Sequence, residues 1–568
     1  MKYAVRDYDP SLPLDYAEEP YGTAYHGVWR QDVETEGKKR TIVTFMPEDY
    51  FPYQRCVIVY APTGVTAEEF AQKSAWIPYA EKHSLALVFL AADKKWGKQA
   101  DEFEFTAKAC DQVFHTVGVI SFDHKYAVGY GSSADLLAKM LLEKSLMFAG
   151  AALFGPSDLS KAAVKKATDD RRIPVWVINE KGDETPVLTD YFKARNRCLD
   201  EGLKNAFAKV CNESVRTTEE PWASDPCSRV WVSEAKDAAA LYANKGWTAR
   251  VFEEFLSKRY HHDHLSITQL KVDYSLEEIG AKVYEKWMPH ASFDKPQKRL
   301  WAIYAPSDYD PEKAYPLVVV SHGFQCTYEY MLKNTEFWKI AEQRKFIAVF
   351  TQGLPHEVTN YGLPRWRSDG HGVMRFLGRK PDDRACYDSE IAYFRAVVKD
   401  VEKRYHVDES RIYCTGHSNG AAMTYALSME MGDVFAASAQ VGGAVPQFDS
   451  VKKMPKDHYR MPALSVMCEH DFVTDPDDQE KPLYKELLWR KVENGVKLTQ
   501  EPFIVDNGYT VTHTWVNAEA IPVVKYTLYK DSIHSCHTGI AYYVWDEFLC
   551  GYSKDAEGNR YYGGKKIR

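Results

Sequence analysis

The sequence contains few cysteines and no Cys-x-x-Cys pair, so neither a zinc ribbon nor a thioredoxin-like motif is indicated. Eleven cysteines among 568 residues fit a reducing compartment better than a disulfide-stapled secreted domain. No run reaches the roughly 18 apolar residues of a membrane-spanning helix. The first residues, MKYAVRDYDPSLPLDY, lack the apolar centre of a signal peptide. We therefore expect a cytoplasmic protein with no membrane partner.

An excess of positive charge is also missing. The net charge is −8, which gives no general surface for polyanions, so nucleic acid is not an expected partner. Hydrophobic residues make up 45% and charged residues 27% of the chain. These proportions are typical of folded globular proteins and exclude disordered or collagen-like chains.

What the chain does contain is a repeat of itself. The segment KKRTIVTFMPEDYFPYQRCVIVYAP, from Lys38, matches QKRLWAIYAPSDYDPEKAYPLVVVSHG, from Gln297. Further on, YAVGYGSSADLLAKML (from Tyr126) matches YCTGHSNGAAMTYAL (from Tyr413). Because the matching blocks keep the same order, we predict two related domains, 1–265 and 266–568. The second has an insertion at about 352–385, and long insertions of this kind are often functional.

Strand and helix patterns alternate along the second half. Continuous apolar runs at 317–320 and 346–350 are typical of strands buried on both faces. Ile391, Phe394, Val398 and Val401 keep helical spacing, and further strands are predicted at 411–415, 463–467 and 523–529. This alternation predicts an α/β fold in each domain, with a mainly parallel sheet flanked by helices.

A G-x-S-x-G turn, Gly416-His417-Ser418-Asn419-Gly420, lies between a predicted strand and a predicted helix. In this context the turn is tight, so the flanking glycines are required and the serine hydroxyl is exposed on a strained backbone. The following helix directs its N-terminus at the site, which favours a developing anion. We predict that Ser418 is a nucleophile.

A nucleophilic serine needs a general base, and the base needs an orienting carboxylate. Hydrolases with this turn carry them in the chain order Ser, then Asp or Glu, then His. Asp471 follows the predicted strand ALSVM and His534 follows VVKYTLY, so we predict these two as acid and base. The same loops hold alternatives, which are Asp475, Asp477 and Asp478 for the acid and His537 for the base.

An oxyanion hole normally uses two backbone N–H groups. One is predicted at Asn419, directly after the nucleophile. The other is predicted at Phe324, in the loop His322-Gly323-Phe324 after the strand LVVVS. We interpret His322 itself as a structural histidine that holds this loop.

Taken together, the SHG strand end, the TQG at Thr351 and the stretch RYHVDESRIYCTGHSNGAAMTYAL resemble the polyhydroxybutyrate depolymerase-like and feruloyl-esterase-like branch of the α/β-hydrolase superfamily. The resemblance covers the second half. It implies two tandem α/β-hydrolase-type domains and hydrolysis of esters of acyl or phenolic acids. The base region departs from the family pattern, since Ser-Ile-His534 stands where family members tend to have Gly-Gly-His.

The first half lacks the corresponding chemistry. Ser418 aligns with Gly131, and His322-Gly323 aligns with Ala61-Pro62, whose proline has no N–H to offer. No histidine occurs between positions 227 and 259, although Asp183 persists opposite Asp471. We therefore predict a degenerate, non-catalytic first domain, which could carry oligomer contacts.

The insertion should lie over the active-site edge of the second domain. Its aromatic and basic residues suit stacking on an aromatic acyl group or pairing with a substrate carboxylate. The predicted substrate contacts are Tyr361, Arg365 and Trp366, together with His417 in the turn.

The sequence thus predicts a serine carboxylic-ester hydrolase that works without a metal or organic cofactor. The expected partner is a small-molecule or oligosaccharide-linked ester. Two alternatives use the same features: a serine peptidase of this fold, and a catalytically silent hydrolase-like binding protein.

Overall fold

The computed structural model describes residues 3–15, 18–199, 210–213, 228–262, 269–355, 383–443, 460–471, 482–537 and 539–567. These residues form two compact units, the first built mainly from residues 21–274 and the second mainly from residues 275–567. The boundary predicted at 265 falls in the stretch 263–268, outside the described residues.

The first unit is built on a ten-stranded sheet with the strand order β1-β2-β3-β5-β4-β6-β7-β8-β10-β9. Its elements are β1 (Val5–Asp7), β2 (Gly27–Thr35), β3 (Lys38–Met46), β4 (Gln54–Tyr60), α1 (Ala67–Lys73), α2 (Trp76–Lys82), β5 (Ala86–Leu90), α3 (Gln99–Thr116), β6 (Ile120–Tyr130), α4 (Ser132–Glu143), β7 (Gly150–Phe154), α5 (Lys161–Val164), β8 (Val175–Glu180), α6 (Pro186–Arg195), β9 (Val210–Glu213), β10 (Arg229–Ala235), α7 (Lys245–Arg250) and the separate hairpin β11 (Arg259–His262) and β12 (Gln269–Val272).

The second unit is built on another ten-stranded sheet, with the order β13-β14-β16-β15-β17-β18-β19-β22-β21-β20. Its elements are α8 (Leu276–Ile279), β13 (Lys282–Met288), β14 (Gln297–Tyr304), β15 (Tyr315–Ser321), α9 (Tyr328–Thr335), α10 (Phe337–Arg344), β16 (Ile347–Thr351), α11 (Asp383–Arg404), β17 (Val407–His417), α12 (Asn419–Glu430), β18 (Ala437–Val441), β19 (Ala463–Cys468), α13 (Pro482–Glu493), β20 (Phe503–Asp506), β21 (Thr510–Val516), β22 (Pro522–Tyr529), α14 (Ile540–Asp546) and the small sheet β23 (Tyr552–Lys554), β24 (Arg560–Tyr562) and β25 (Lys565–Lys566).

The two sheets repeat one topology. The series β2-β3-β5-β4-β6-β7-β8-β10-β9 corresponds strand by strand to β13-β14-β16-β15-β17-β18-β19-β22-β21. In both, the central strands run parallel and antiparallel strands lie at the sides. The α/β fold predicted from the repeated sequence blocks is therefore confirmed for both halves.

Burial explains why the central strands are continuous apolar runs in the amino-acid sequence. Every residue of β15 (YPLVVVS) and of β16 (IAVFT) is buried, because helices cover both faces of a parallel sheet. The core of this unit joins these strands to α11, whose Phe394, Val398 and Val401 pack on them. This packing aligns the carboxyl ends of β15, β17, β18, β19 and β22 at one edge of the sheet. Within the described residues, none of the helices is long and apolar enough to cross a bilayer.

Candidate active site

The turn at Ser418 has the strained geometry that a nucleophile elbow requires. It joins β17 directly to α12, and Ser418 has φ +56° and ψ −117°, a region that non-glycine residues rarely adopt. The Ser418 N–H donates to Val441 O at 2.9 Å, and its own carbonyl accepts the first helical hydrogen bond, from Ala421. Ser418 itself is half-buried. Strained residues of this kind cluster at functional sites, which makes Ser418 a candidate site residue.

The glycines on either side of the serine are required by space. A Cβ atom at Gly416 would lie 2.5 Å from the carbonyl oxygen of Gly420. A Cβ atom at Gly420 would meet the carbonyl oxygen of Ser321 on the neighbouring strand. Both contacts are to backbone, which cannot swing away, so larger residues would force the turn apart.

Asp471 and His534 form a hydrogen-bonded pair at the same sheet edge. His534 Nδ1–H donates to Asp471 Oδ2 at 2.7 Å, and the Asp471 side chain is fully buried while that of His534 is 21% exposed. Asp471 lies just beyond β19, and His534 lies in the loop after β22. A carboxylate on Nδ1 fixes the ring tautomer, so Nε2 is left as a proton acceptor.

The turn contacts the Asp471–His534 pair through the ring of His417. Its ring centroid lies 4.8 Å from that of His534. His417, predicted as a substrate contact, is buried, and burial together with the neighbouring histidines holds its pKa well below the usual value. The ring is therefore neutral and packs against the His534 ring.

His537, the alternative base, lies in different surroundings. Its ring stacks on Tyr529, with centroids 4.3 Å apart, and its Nε2 lies 3.2 Å from Cys468 Sγ. Burial lowers the pKa of His537 to about 4. The carboxylate of Asp471 thus faces His534, and a thiol faces His537. The alternative acids, Asp475, Asp477 and Asp478, lie outside the described residues.

The loop after β15 lies against Ser418. A Cβ atom at Gly323 would be 3.3 Å from Ser418 Cβ, which places Phe324 next to the turn. His322 is fully buried; its Nδ1–H donates to Gly323 O at 2.6 Å and its Nε2 accepts the Gly353 N–H at 2.8 Å. Burial lowers the pKa of His322 to about 4, so the neutral ring ties this loop to the loop after β16.

Two glycines at the site were not predicted from the sequence. Gly442 has φ +61°, and a Cβ atom there would lie 3.0 Å from His417 Nε2 and 3.5 Å from His534 Cε1. A Cβ atom at Gly443 would lie 2.5 Å from Ser418 O. The signal was a Gly-Gly pair directly after a buried strand, at the edge where the other site residues gather.

The substrate contacts predicted in the insertion, Tyr361, Arg365 and Trp366, lie outside the described residues. The cysteines near the site, Cys326, Cys468 and Cys536, are not joined in disulfides.

The first unit keeps the backbone of the elbow but not the serine. Gly131 stands where Ser418 stands in the second unit, with nearly the same dihedrals, φ +57° and ψ −119°. Its N–H donates to Phe154 O at 2.8 Å, as the Ser418 N–H does to Val441 O. Here the strained position is filled by a residue without a side chain.

The other positions of the first unit have also changed. Strand registers match Tyr60 with Ser321, so Thr63 corresponds to Phe324, and the Thr63 N–H donates to Ser132 Oγ at 2.9 Å. Registers at the ends of β8 and β19 likewise match Ala235 with Tyr529, so Ala240 corresponds to His534. In the first unit a serine hydroxyl thus binds the amide that would serve an oxyanion, and an alanine takes the histidine position.

Comparisons with known proteins match parts of the second unit. The profile of the prolyl oligopeptidase family matches residues 385–481. The chain is 23% identical over 141 residues to the bifunctional acetylxylan esterase/xylanase XynS20E of Neocallimastix patriciarum, a match covering 25% of this chain and 17% of that protein. It is 28% identical over 129 residues to poly(3-hydroxyalkanoate) depolymerase C of Paucimonas lemoignei, covering 22% of this chain and 28% of that protein. Less than a third of either relative is therefore matched.

Solved structures with a similar fold include an acetyl xylan esterase from Aspergillus awamori, 15% identical, with a TM-score of 0.35 and coverage of 47% of this chain and 99% of that chain. A feruloyl esterase module from Clostridium thermocellum is 12% identical, with a TM-score of 0.30 and coverage of 46% of this chain and 85% of that chain. The repeated sheet topology, the strained elbow at Ser418 and these distant sequence matches together indicate an α/β-hydrolase fold.

Proposed function

We propose that this chain is a serine hydrolase that cleaves carboxylic esters through an acyl-enzyme on Ser418. The observation that carries the proposal is that a strained serine elbow and the Asp471–His534 hydrogen bond lie at one sheet edge, in contact through the His417 ring. A serine, a histidine and a carboxylate in this chain order are the parts that acyl transfer needs.

In the proposed mechanism Ser418 Oγ attacks the acyl carbon while His534 Nε2 takes the hydroxyl proton. The imidazolium that forms is stabilised by Asp471, whose carboxylate accepts its Nδ1–H. His534 then returns the proton to the leaving alcohol oxygen. Water, deprotonated by the same histidine, releases the acid and restores the serine.

The oxyanion of each tetrahedral intermediate would be held by the backbone N–H groups of Asn419 and Phe324. Asn419 begins α12, whose N-terminal dipole favours negative charge at this point. The closeness of Gly323 to Ser418 supports a contribution from Phe324. We propose that His322 acts only by fixing this loop.

We propose that His417 fixes the position of His534, since its buried ring packs against the His534 ring. Substrate would instead be contacted by Tyr361, Arg365 and Trp366 of the insertion. Aromatic residues there suit a phenolic acyl group, and arginine suits a carboxylate.

The proposed substrates are short acyl, hydroxyacyl or feruloyl-type esters, free or linked to an oligosaccharide. The names of the matched relatives, an acetylxylan esterase and a poly(3-hydroxyalkanoate) depolymerase, support this class. The first unit is proposed to be non-catalytic. Its Gly131, Ala240 and the Ser132 hydroxyl on the Thr63 amide support that role.

The proposal is tested by measuring hydrolysis of p-nitrophenyl acetate and methyl ferulate by the wild type and by Ser418→Ala. We expect the wild type to turn over these esters. Ser418→Ala should keep the fold, while its turnover falls by roughly 10⁴-fold or more. Activity of Ser418→Ala equal to wild type would contradict it. The ratio of the two wild-type rates distinguishes short acyl from phenolic acyl preference.

A second candidate function, a serine peptidase, is favoured by the match of residues 385–481 to the prolyl oligopeptidase family. The same serine machinery can act on amides. Matched acetyl-amino-acid esters and p-nitroanilides separate the two functions. Faster cleavage of the ester alone supports the esterase, and efficient cleavage of the anilide supports the peptidase. Binding of these compounds without any turnover would indicate the silent binding protein.

A further inference from the structure

The strand β20 at the edge of the second sheet is largely apolar, and each of its residues is exposed. Phe503 is 64%, Ile504 59% and Val505 64% exposed. Successive side chains of a strand point to opposite faces, so apolar surface is open on both faces of the sheet here. Natural proteins avoid such an edge because it pairs readily with another strand.

The outer side of β20 also offers backbone hydrogen-bonding groups. In the described part of the chain β20 is the last strand of its sheet and pairs only with β21. The Asn507 N–H donates to Thr510 O at 3.2 Å. Since hydrogen-bonded positions alternate in an antiparallel pair, Phe503 and Val505 bond towards β21. The N–H and C=O groups of Ile504 and Asp506 therefore face outwards.

The segment 501–507, EPFIVDN, is complementary to a second copy of itself. In an antiparallel pair centred on Ile504, Ile504 lies opposite its own copy and Phe503 lies opposite Val505. The outward-facing Ile504 groups then exchange two hydrogen bonds, and each Asp506 N–H donates to the Pro502 carbonyl of the other copy. Pro502 has no N–H, so the pairing ends there.

Charge is compatible with this register. With Ile504 at the centre, Glu501 faces Asn507 and Asp506 faces Pro502, so no acid faces another acid. Asp506 is already paired with Lys530, with O–N distances of 2.7 and 2.8 Å.

We propose that β20 is a homodimer interface, at which two copies of this chain join edge to edge through antiparallel pairing centred on Ile504. A strand is the occupant that fits, because it satisfies the outward backbone groups and covers apolar side chains on both faces. A second copy fits because of the self-complementary register. This interface is separate from the proposed catalytic site and does not depend on the proposed function.

Sedimentation velocity of the full chain between about 1 and 100 µM tests the proposal. The variants are Ile504→Lys and, as a matched control, Val283→Lys. Val283 is 42% exposed on β13, the strand at the opposite edge of the same sheet. We expect the wild type and Val283→Lys to form a dimer. The affinity of dimerisation should be at least tenfold weaker for Ile504→Lys. A monomeric wild type, or a dimer that Ile504→Lys leaves unchanged, would overturn the proposal; the second result would fit contacts through the first unit.

Cysteine cross-linking tests the register without relying on disruption. Hydrogen-bonded antiparallel partners have Cα atoms about 5.5 Å apart, within the range that a disulfide spans. In a Cys550→Ser background, which removes an exposed native thiol, Ile504→Cys should form a covalent dimer on oxidation. Val505→Cys, which would lie opposite Phe503, should not. Failure of Ile504→Cys to cross-link, or equal cross-linking of both variants, would refute the register.

Discussion

Replacing Asp471 by Asn would remove a charge while keeping the side-chain shape. Asp471 Oδ2 lies 2.7 Å from His534 Nδ1. At an effective dielectric constant of about 20, opposite unit charges at this separation attract by about 6 kcal/mol. The amide would also direct an N–H at Nδ1, which moves the ring proton to Nε2 and blocks acceptance of the serine proton. Since about 1.4 kcal/mol is tenfold in rate, we expect kcat to fall by roughly 10³–10⁴.

The assay is steady-state hydrolysis of p-nitrophenyl acetate at pH 7–8, with thermal unfolding to verify the fold. The matched control is Asp531→Asn, an exposed acid in the loop that carries His534. Asp531 has φ +50°, which Asn tolerates, so the control should stay within about twofold of wild type. If folded Asp471→Asn kept more than about a tenth of wild-type kcat, the reasoning would be refuted and Asp475 would become the first alternative acid.

Three further predictions follow from the same geometry. Adding Gly131→Ser to Ser418→Ala should give no ester hydrolysis above background, because Ala240 supplies no base. New turnover by this double variant would refute the proposal that the first unit is non-catalytic. Gly420→Ala should lower the free energy of unfolding by several kcal/mol in urea titrations, since its Cβ would meet the Ser321 carbonyl; a change under about 0.5 kcal/mol would contradict the contact. Burial keeps His322 neutral with a pKa of about 4. Acidification from pH 7 to 5 protonates only the unfolded state, which costs about 2 kcal/mol of stability for this one group. In His322→Gln, the loss of unfolding free energy between pH 7 and pH 5 should therefore be about 2 kcal/mol smaller than in the wild type. An equal loss in both proteins would contradict a neutral buried ring.

The fold could be predicted where burial dictates the residue pattern. The apolar run at 317–320 lies inside β15 and the run at 346–350 overlaps β16 from Ile347 onward, because a strand covered on both faces leaves no place for polar side chains. The internal repeat then carried the prediction into the first unit. The hairpin of β20 and β21 was not predicted, because exposed edge strands such as Phe503–Asp506 carry no alternation of buried and exposed positions.

The site could be predicted where chemistry is tied to chain order. Gly416 to Gly420 form a local motif, and Asp471 and His534 follow from their places after β19 and β22. Contacts between residues that are far apart in the sequence could not be predicted from it. The packing of Gly442 against His417 and His534 depends on strand neighbours, and the burial of His417 depends on its surroundings rather than on its place in the turn.

The repeated elbow shows how one backbone carries two outcomes. Gly131 and Ser418 share nearly the same dihedrals, so the strained turn is kept by the fold in both units. Among the described residues, only those of the second unit combine it with a serine hydroxyl, a histidine and a buried carboxylate. The difference between the units is therefore chemical and lies in a few side chains.

Labelling with a fluorophosphonate tests most directly whether Ser418 is the activated nucleophile. The wild type and Ser418→Ala would each be treated with the probe, digested and analysed by peptide mass spectrometry. We predict a single phosphonyl adduct on the peptide that carries Ser418 and none in Ser418→Ala. Adducts on another serine such as Ser132, or equal labelling of both proteins, would contradict the account.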